Sequence, residues 1–185
     1  MSAFRSLIVA CITIVLVQRA GAQGLSFDPG LAARRGGAAV TARAAINAAP
    51  LVAGGAGTLA VEVTIDPRYH IQSAYPDKDY IATALTPKAV AGITFGHVKY
   101  PVAVNVPAPA ALPGTPPIPV YEGTVYLLLP FTVDAAATPG QRTIDLTLTA
   151  QACDATSCLP PKDLALSVPV TISPARPAIV RTVCA

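Results

Sequence analysis

Long apolar runs are scarce in this 185-residue chain: one lies between Leu7 and Val17, and after Ala22 there is no other. That run has 11 residues, whereas a helix crossing a bilayer needs roughly 20, so stable membrane insertion is not expected. Basic clusters are also missing beyond the Arg34-Arg35 pair, which removes the electrostatic footprint of a nucleic-acid or acidic-membrane binder. Histidines number two, His70 and His97. With Cys153, Cys158 and Cys184 they show neither helix nor knuckle spacing for zinc, so no metal and no other cofactor is expected. No Ser-His-Asp spacing and no Gly-rich phosphate loop supports a hydrolase or nucleotide enzyme. Capped stretches with apolar residues at helical spacing are absent as well, which leaves a chain built mostly from strands.

What is present begins with an export signal. Residues 1–22 combine Arg5, the short apolar run and the small residues Ala20, Gly21 and Ala22, the pattern of a cleaved secretory peptide. Cys11 lies inside the run and leaves with it. The net charge is +3, and loss of Arg5 and Arg19 lowers it to +1, so the basicity is largely a targeting feature. The 163 residues left are one ordinary domain. Residues 23–37 read as a flexible leader, 38–174 as the domain and 175–185 as a tail. Export places the chain in an oxidising compartment, where a close cysteine pair tends to form a disulfide. Cys184 is left odd, and a bystander in the tail is the expectation.

Alternation with a period of two marks half-buried strands. It runs through Leu59, Val61, Val63 and Ile65, then Val125 to Val133, Ile144 to Leu148, and Leu164 to Ile172. Shorter candidates are Ala39 to Ile46, Tyr69 to Ser73 and Ile93 to Val98. Turn signals such as Asp66-Pro67 and Pro139-Gly140 separate them. About seven short strands without intervening helices predict an all-β, antiparallel two-sheet β-sandwich, with Pro169 on an edge strand. Pro101 to Pro119 holds seven prolines and is expected to run as an extended loop.

Cys153 and Cys158 fall between two of these strands. If Asp154 to Ser157 form a four-residue loop, the sulfurs face each other across its base, at a spacing that a disulfide accepts. Counting by two from Leu148 places Ala150 and Ala152 inward and Cys153 outward, so Cys153 is not expected in the core. A bridge closing so short a loop stabilises the fold by only about 2 kcal/mol. The residues alone leave two uses open: an inert bridge in an exported β-sandwich that binds or scaffolds, or a bond that opens and closes. Asp154 has the wrong charge to favour a thiolate beside it, and only Lys162 could help. His70 and His97 read as ordinary strand residues, Tyr69 and Tyr121 as packing residues, and Glu122 as a solvated carboxylate.

The string Gln151-Ala152-Cys153, four residues, then Cys158-Leu159-Pro160-Pro161, preceded by Val120-Tyr121-Glu122-Gly123, resembles the N-terminal periplasmic domain of the DsbD-type thiol:disulfide interchange proteins. Asp66 to Ser73 and Leu85-Thr86-Pro87 resemble that family's opening strands, and the likeness runs from about Thr58 to Ile172. It implies an immunoglobulin-like fold whose cysteines carry reducing equivalents. A thioredoxin-like domain of a membrane electron carrier would supply them, and periplasmic disulfide oxidoreductases would receive them. On that resemblance Cys158 enters the mixed disulfide and Cys153 resolves it. Val120 and Tyr121 would belong to a cap that shields the sulfurs, with Tyr69 and Glu122 in its surroundings. The cysteine spacing is one residue shorter than in the best-known members, and Val120-Tyr121 stands where they place Phe.

Overall fold

The structure is a computed structural model that describes residues 39–174, apart from 48–49, 79 and 109–115. The expected signal, leader and tail, with Cys184, lie outside the described residues.

Within them the chain is all β, with no helix. In order come β1 (Val40–Ile46), β2 (Leu51–Val52), β3 (Ala56–Ile65), β4 (His70–Gln72), β5 (Ala84–Pro87) and β6 (Ile93–Phe95). There follow β7 (Val104–Val106), β8 (Ile118–Tyr121), β9 (Thr124–Val133), β10 (Gly140–Ala150), β11 (Ala152–Cys153) and β12 (Lys162–Ser173). One sheet has the order β1-β3-β9-β6 and a second the order β2-β12-β10-β5. All pairs are antiparallel except β2 beside β12.

The alternation in the sequence explains how the sheets face each other. Leu59, Val61, Val63 and Ile65 of β3 and Leu127, Leu129, Phe131 and Val133 of β9 are all buried. They share one core with Ile144, Leu146 and Leu148 of β10 and Leu164, Leu166, Val168, Val170 and Ile172 of β12. The result is the immunoglobulin-like sandwich the sequence leads one to expect. Burial of each such side chain contributes about 1.5–3 kcal/mol, so more than a dozen of them far outweigh a short-loop disulfide. Against that core the bond is a minor contribution.

Buried Glu62 is paired. On the outer face of the first sheet Glu62 is 9% exposed, between Arg43 on β1 and Tyr126 on β9. Arg43 Nε donates to it at 2.7 Å and Tyr126 Oη at 3.0 Å. The Arg43 hydrogen bond, seconded by that of Tyr126, lowers the Glu62 pKa against the opposing effect of burial. Pro169 faces Thr143 on β10, where β2 no longer flanks β12, since β2 reaches only Ile172 and Ser173. On that open side of β12 there is no ladder for a proline to interrupt.

A third, small sheet, β11-β4-β8-β7, lies at the ends of the other two. It corrects one expectation. The proline-rich stretch from Pro101 to Pro119 is not loop throughout, because Val104, Asn105 and Val106 pair with Val120, Pro119 and Ile118. A strand residue directs its N–H and C=O to the same neighbour. Pro119 turns its carbonyl toward Ser73, whose N–H donates at 3.0 Å, so the proline ring takes no donor from the β7 ladder.

Candidate functional site

The third sheet exists because two long strands pass their ends to it. After β3 the chain turns through Asp66-Pro67-Arg68-Tyr69, with Tyr69 N–H donating to the Asp66 carbonyl at 2.8 Å, and continues as β4. After β10 it passes Gln151 and continues as β11, antiparallel to β4, with Cys153 opposite His70 and Ala152 opposite Ile71.

Cys153 and Cys158 are disulfide-bonded, with their Cα atoms 3.9 Å apart. Asp154 to Ser157 form the expected loop. Asp154 N–H donates to the Ser157 carbonyl at 2.9 Å, and Leu159 N–H to the Ala152 carbonyl at 2.8 Å. The Asp154 side chain closes the bend. Its Oδ1 accepts from Thr156 N, Thr156 Oγ1 and Ser157 N, each at 2.8 Å. These bonds, the Thr156 backbone N–H foremost, hold the Asp154 carboxyl below its ordinary 3.8. The sign follows: this contribution is present above that value and fades as the pH falls through the lowered one. An Asp154→Asn chain is thus expected to unfold at lower urea than the parent at pH 7, with the gap narrowing below about pH 4. A gap that stays constant with pH would remove the carboxylate from this account.

The two sulfurs sit in different surroundings. Cys158 is exposed, whereas Cys153 is 2% exposed. That burial corrects the parity count from Leu148. β10 ends at Ala150, and β11 joins a different sheet, so an alternation counted along β10 does not extend to Cys153. Beside the buried sulfur stands Gln72, fully buried, with Nε2 donating to Cys153 Sγ at 3.5 Å. Gln72 lies diagonally across the ladder from Cys153, within reach for a long side chain. Its Oε1 is buried with no hydrogen-bond partner.

Over the bond lies an open depression of about 540 Å³. It is lined by His70, Gln72 and Tyr80, by Val106, Pro107, Ala108 and Ile118, and by the loop from Cys153 to Cys158. Burial lowers the His70 pKa against the smaller opposing pull of Glu122 and Asp154. The imidazole is therefore neutral near pH 7 and adds no positive charge. Lys162 begins β12 opposite Ala150 and does not line the depression.

The residues expected to cap the pair are buried. Val120 and Tyr121 belong to β8 and are 0% and 2% exposed. Tyr121 pairs with Ile71 and accepts a hydrogen bond from Ala74 N at 3.2 Å, and its ring joins the core. Neither is among the residues that line the depression: the Tyr121 ring packs in the core, while Val120, on the opposite face of β8 with Ile118 and across from Gln72, is fully buried. Glu122 is exposed and reaches the site through its field on His70. Tyr69 is half-buried against the core, under the Arg68 guanidinium. Gly123 has φ 65°, in the left-handed region that glycine adopts most readily, and there the chain leaves the third sheet for β9. Two glutamines went unmarked by the sequence reading of the site. Gln72 carries no signal until β4 and β11 are known to pair. Gln151, within the Gln-Ala-Cys string, donates to the Leu159 carbonyl at 3.3 Å and accepts from Ile81 N at 3.4 Å, tying the segment after Cys158 to the β4–β5 loop.

Fold and site together define a β-sandwich domain that presents one cysteine of a disulfide and buries the other. The sequence model described as "Thiol:disulfide interchange protein DsbD, N-terminal" matches residues 38–169, and the chain belongs to this family. Among solved structures, the N-terminal periplasmic domain of ScsB from Proteus mirabilis is similar, with a TM-score of 0.52 and 14% identity. That match covers 79% of this chain and 50% of the other, so the chain spans half the length of that structure. The N-terminal domain of Neisseria meningitidis DsbD in the reduced form gives a TM-score of 0.42 at 18% identity, covering 64% of this chain and 79% of that one. No curated protein matches the sequence.

Proposed function

We propose that the chain is a periplasmic thiol–disulfide relay domain, exported by a cleaved signal at residues 1–22, with residues 38–174 as the working unit. A thioredoxin-like domain of a membrane electron carrier reduces the Cys153–Cys158 bond, and the resulting dithiol reduces periplasmic disulfide oxidoreductases. The observation that carries this reading is the unequal exposure of the two cysteines. An incoming donor thiolate can reach Sγ of Cys158 and not Sγ of Cys153, so the mixed disulfide forms at Cys158, and the donor's second thiol resolves it to leave the pair reduced; toward an acceptor, the Cys158 thiolate attacks the acceptor's disulfide and Cys153 then displaces the reduced acceptor.

With neutral His70 beside the pair and no cation among the described residues that line the depression, no described group activates the domain's own sulfurs strongly. The donor supplies the reactive thiolate, and this domain supplies access and docking. Val106, Pro107, Ala108 and Ile118, which line the depression, take the shielding role expected of a cap. Exposed Leu159 and Ile81, both tied to Gln151, offer apolar contacts to the donor.

The test is the reduction potential with the rates of two reductants. The bond is expected above about −300 mV, within reach of thioredoxin-like donors, and a thioredoxin-fold dithiol should reduce it much faster than glutathione does. A potential below that value, or equal rates with both, would make the bridge an inert one.

A further inference from the structure

Beside the disulfide, Gln72 is a buried side chain with one half of its amide in use and the other idle. Nε2 donates to Sγ of Cys153 at 3.5 Å, and Oε1, equally buried, has no partner. Buried polar atoms without partners are rare because each forfeits the hydrogen bond it had in water. The core leaves no room for chance at this position: Gln72 is 0% exposed, its own carbonyl accepts from Thr83 Oγ1, and its N–H donates to Gln151 at 3.4 Å. The backbone is pinned on both sides, and the amide is left facing the sulfur.

The reaction changes what that sulfur requires. When a thiolate bonds to Sγ of Cys158, the Sγ–Sγ bond breaks and its electron pair leaves on Sγ of Cys153. Cys153 is 2% exposed, so water cannot solvate the new anion well, and an unsolvated buried charge is costly. Once the thiolate takes up a proton, the same sulfur becomes a weak donor and needs an acceptor. An amide offers both in one group, an N–H for the thiolate and a carbonyl oxygen for the thiol.

We propose that Gln72 is the positioning residue for the leaving sulfur: its amide N–H stabilises the Cys153 thiolate as the disulfide opens, and its idle oxygen accepts the S–H of the reduced pair. The proposal rests on the reading that Cys158 is attacked and Cys153 leaves. It adds a residue that works through Cys153 and touches no partner. A leucine or methionine would fill the same space in the disulfide form without an orphaned oxygen, so the amide is carried for the open form.

The experiment uses the chain with Cys184→Ser, so that only the pair reports. Gln72→Met keeps the length of the side chain and removes both amide groups. In a Cys158→Ser background, the thiolate absorbance of Cys153 is expected to reach its midpoint about one pH unit higher in Gln72→Met than with Gln72 present. His70, Tyr80 and Asp154, the titratable groups that line the same depression, are common to both proteins. With the pair intact, reduction by dithiothreitol should slow about tenfold, while the oxidised Gln72→Met domain resists urea at least as well as the parent, having lost an unpartnered acceptor. A merely structural glutamine would give the opposite pattern, with stability reduced and the thiolate midpoint unmoved, and either an unmoved midpoint or an unchanged rate overturns the proposal. Should Gln72→Met not fold, the side-chain amide resonances of Gln72 in the Cys158→Ser domain decide: they are expected to titrate together with Cys153, and amide resonances that ignore its ionisation overturn it. Neither measurement involves a protein donor, so failure of a thioredoxin-fold protein to reduce the domain would count against the relay and leave this test standing.

Discussion

A Cys153→Ser chain mixed with a thioredoxin-fold protein that carries a single active-site cysteine, activated as a mixed disulfide with a small thiol, is expected to release that thiol and accumulate a covalent adduct through Cys158, approaching one partner per domain, whereas Cys158→Ser yields none. The asymmetry follows from burial. Cys158 is exposed at the end of its loop, and Cys153 lies on β11 at 2% exposure in the lining of the depression. With Cys153 present, its sulfur lies across a 3.9 Å Cα separation from Cys158 and displaces any partner bound there. Serine at 153 removes that second displacement and leaves the mixed disulfide with no intramolecular exit. Both variants should be made with Cys184→Ser, so that no third thiol contributes. Non-reducing electrophoresis and mass spectrometry read the result. Equal adducts from both variants would mean that the loop opens enough to expose Cys153, and the assignment of roles to the two sulfurs would fall.

The same variants should stay folded, because the bond contributes only about 2 kcal/mol on the loop-length argument against a core formed by four long strands. Those strands were legible in the sequence. β3, β9, β10 and β12 are long enough for Leu59 to Ile65, Leu127 to Val133 and Leu164 to Ile172 to alternate without interruption, and their inner faces make the core. The cysteine loop was legible too, since two cysteines flanking four polar or small residues between strands need only a tight bend to meet. Of the third sheet only β4 was legible, inside the short candidate Tyr69 to Ser73. β7, β8 and β11 have two to four residues each, too few for a period to declare itself, and prolines at 101, 107, 117 and 119 disguise β7 and β8 as loop. What depends on the pairing of these short strands was hidden with it: the burial of Cys153 and the approach of Gln72. A parity count is sound only while the strand stays in one sheet, and between Ala150 and Ala152 it does not.

Tyr121 gives the sharpest contrast between a lid and a core residue, because the two roles predict opposite results. It is 2% exposed, pairs with Ile71, and accepts from Ala74 N at 3.2 Å; burial raises its hydroxyl pKa, so it stays a neutral phenol at working pH. As a core aromatic, Tyr121→Ala is expected to destabilise the domain by about 3–5 kcal/mol, the usual effect of emptying an aromatic site. Tyr121→Phe keeps the ring and loses one hydrogen bond, which costs about 0.5–1.5 kcal/mol. Urea unfolding of the oxidised and the reduced protein should give the same ranking in both, since the ring packs on the sandwich and does not line the depression over the sulfurs. A lid would behave otherwise: its removal would leave stability nearly unchanged and would speed reduction of the pair by glutathione. If Tyr121→Ala shows that second pattern, shielding passes back from the Val106–Ala108 segment to β8, and the third sheet must open during turnover to let the tyrosine reach the disulfide.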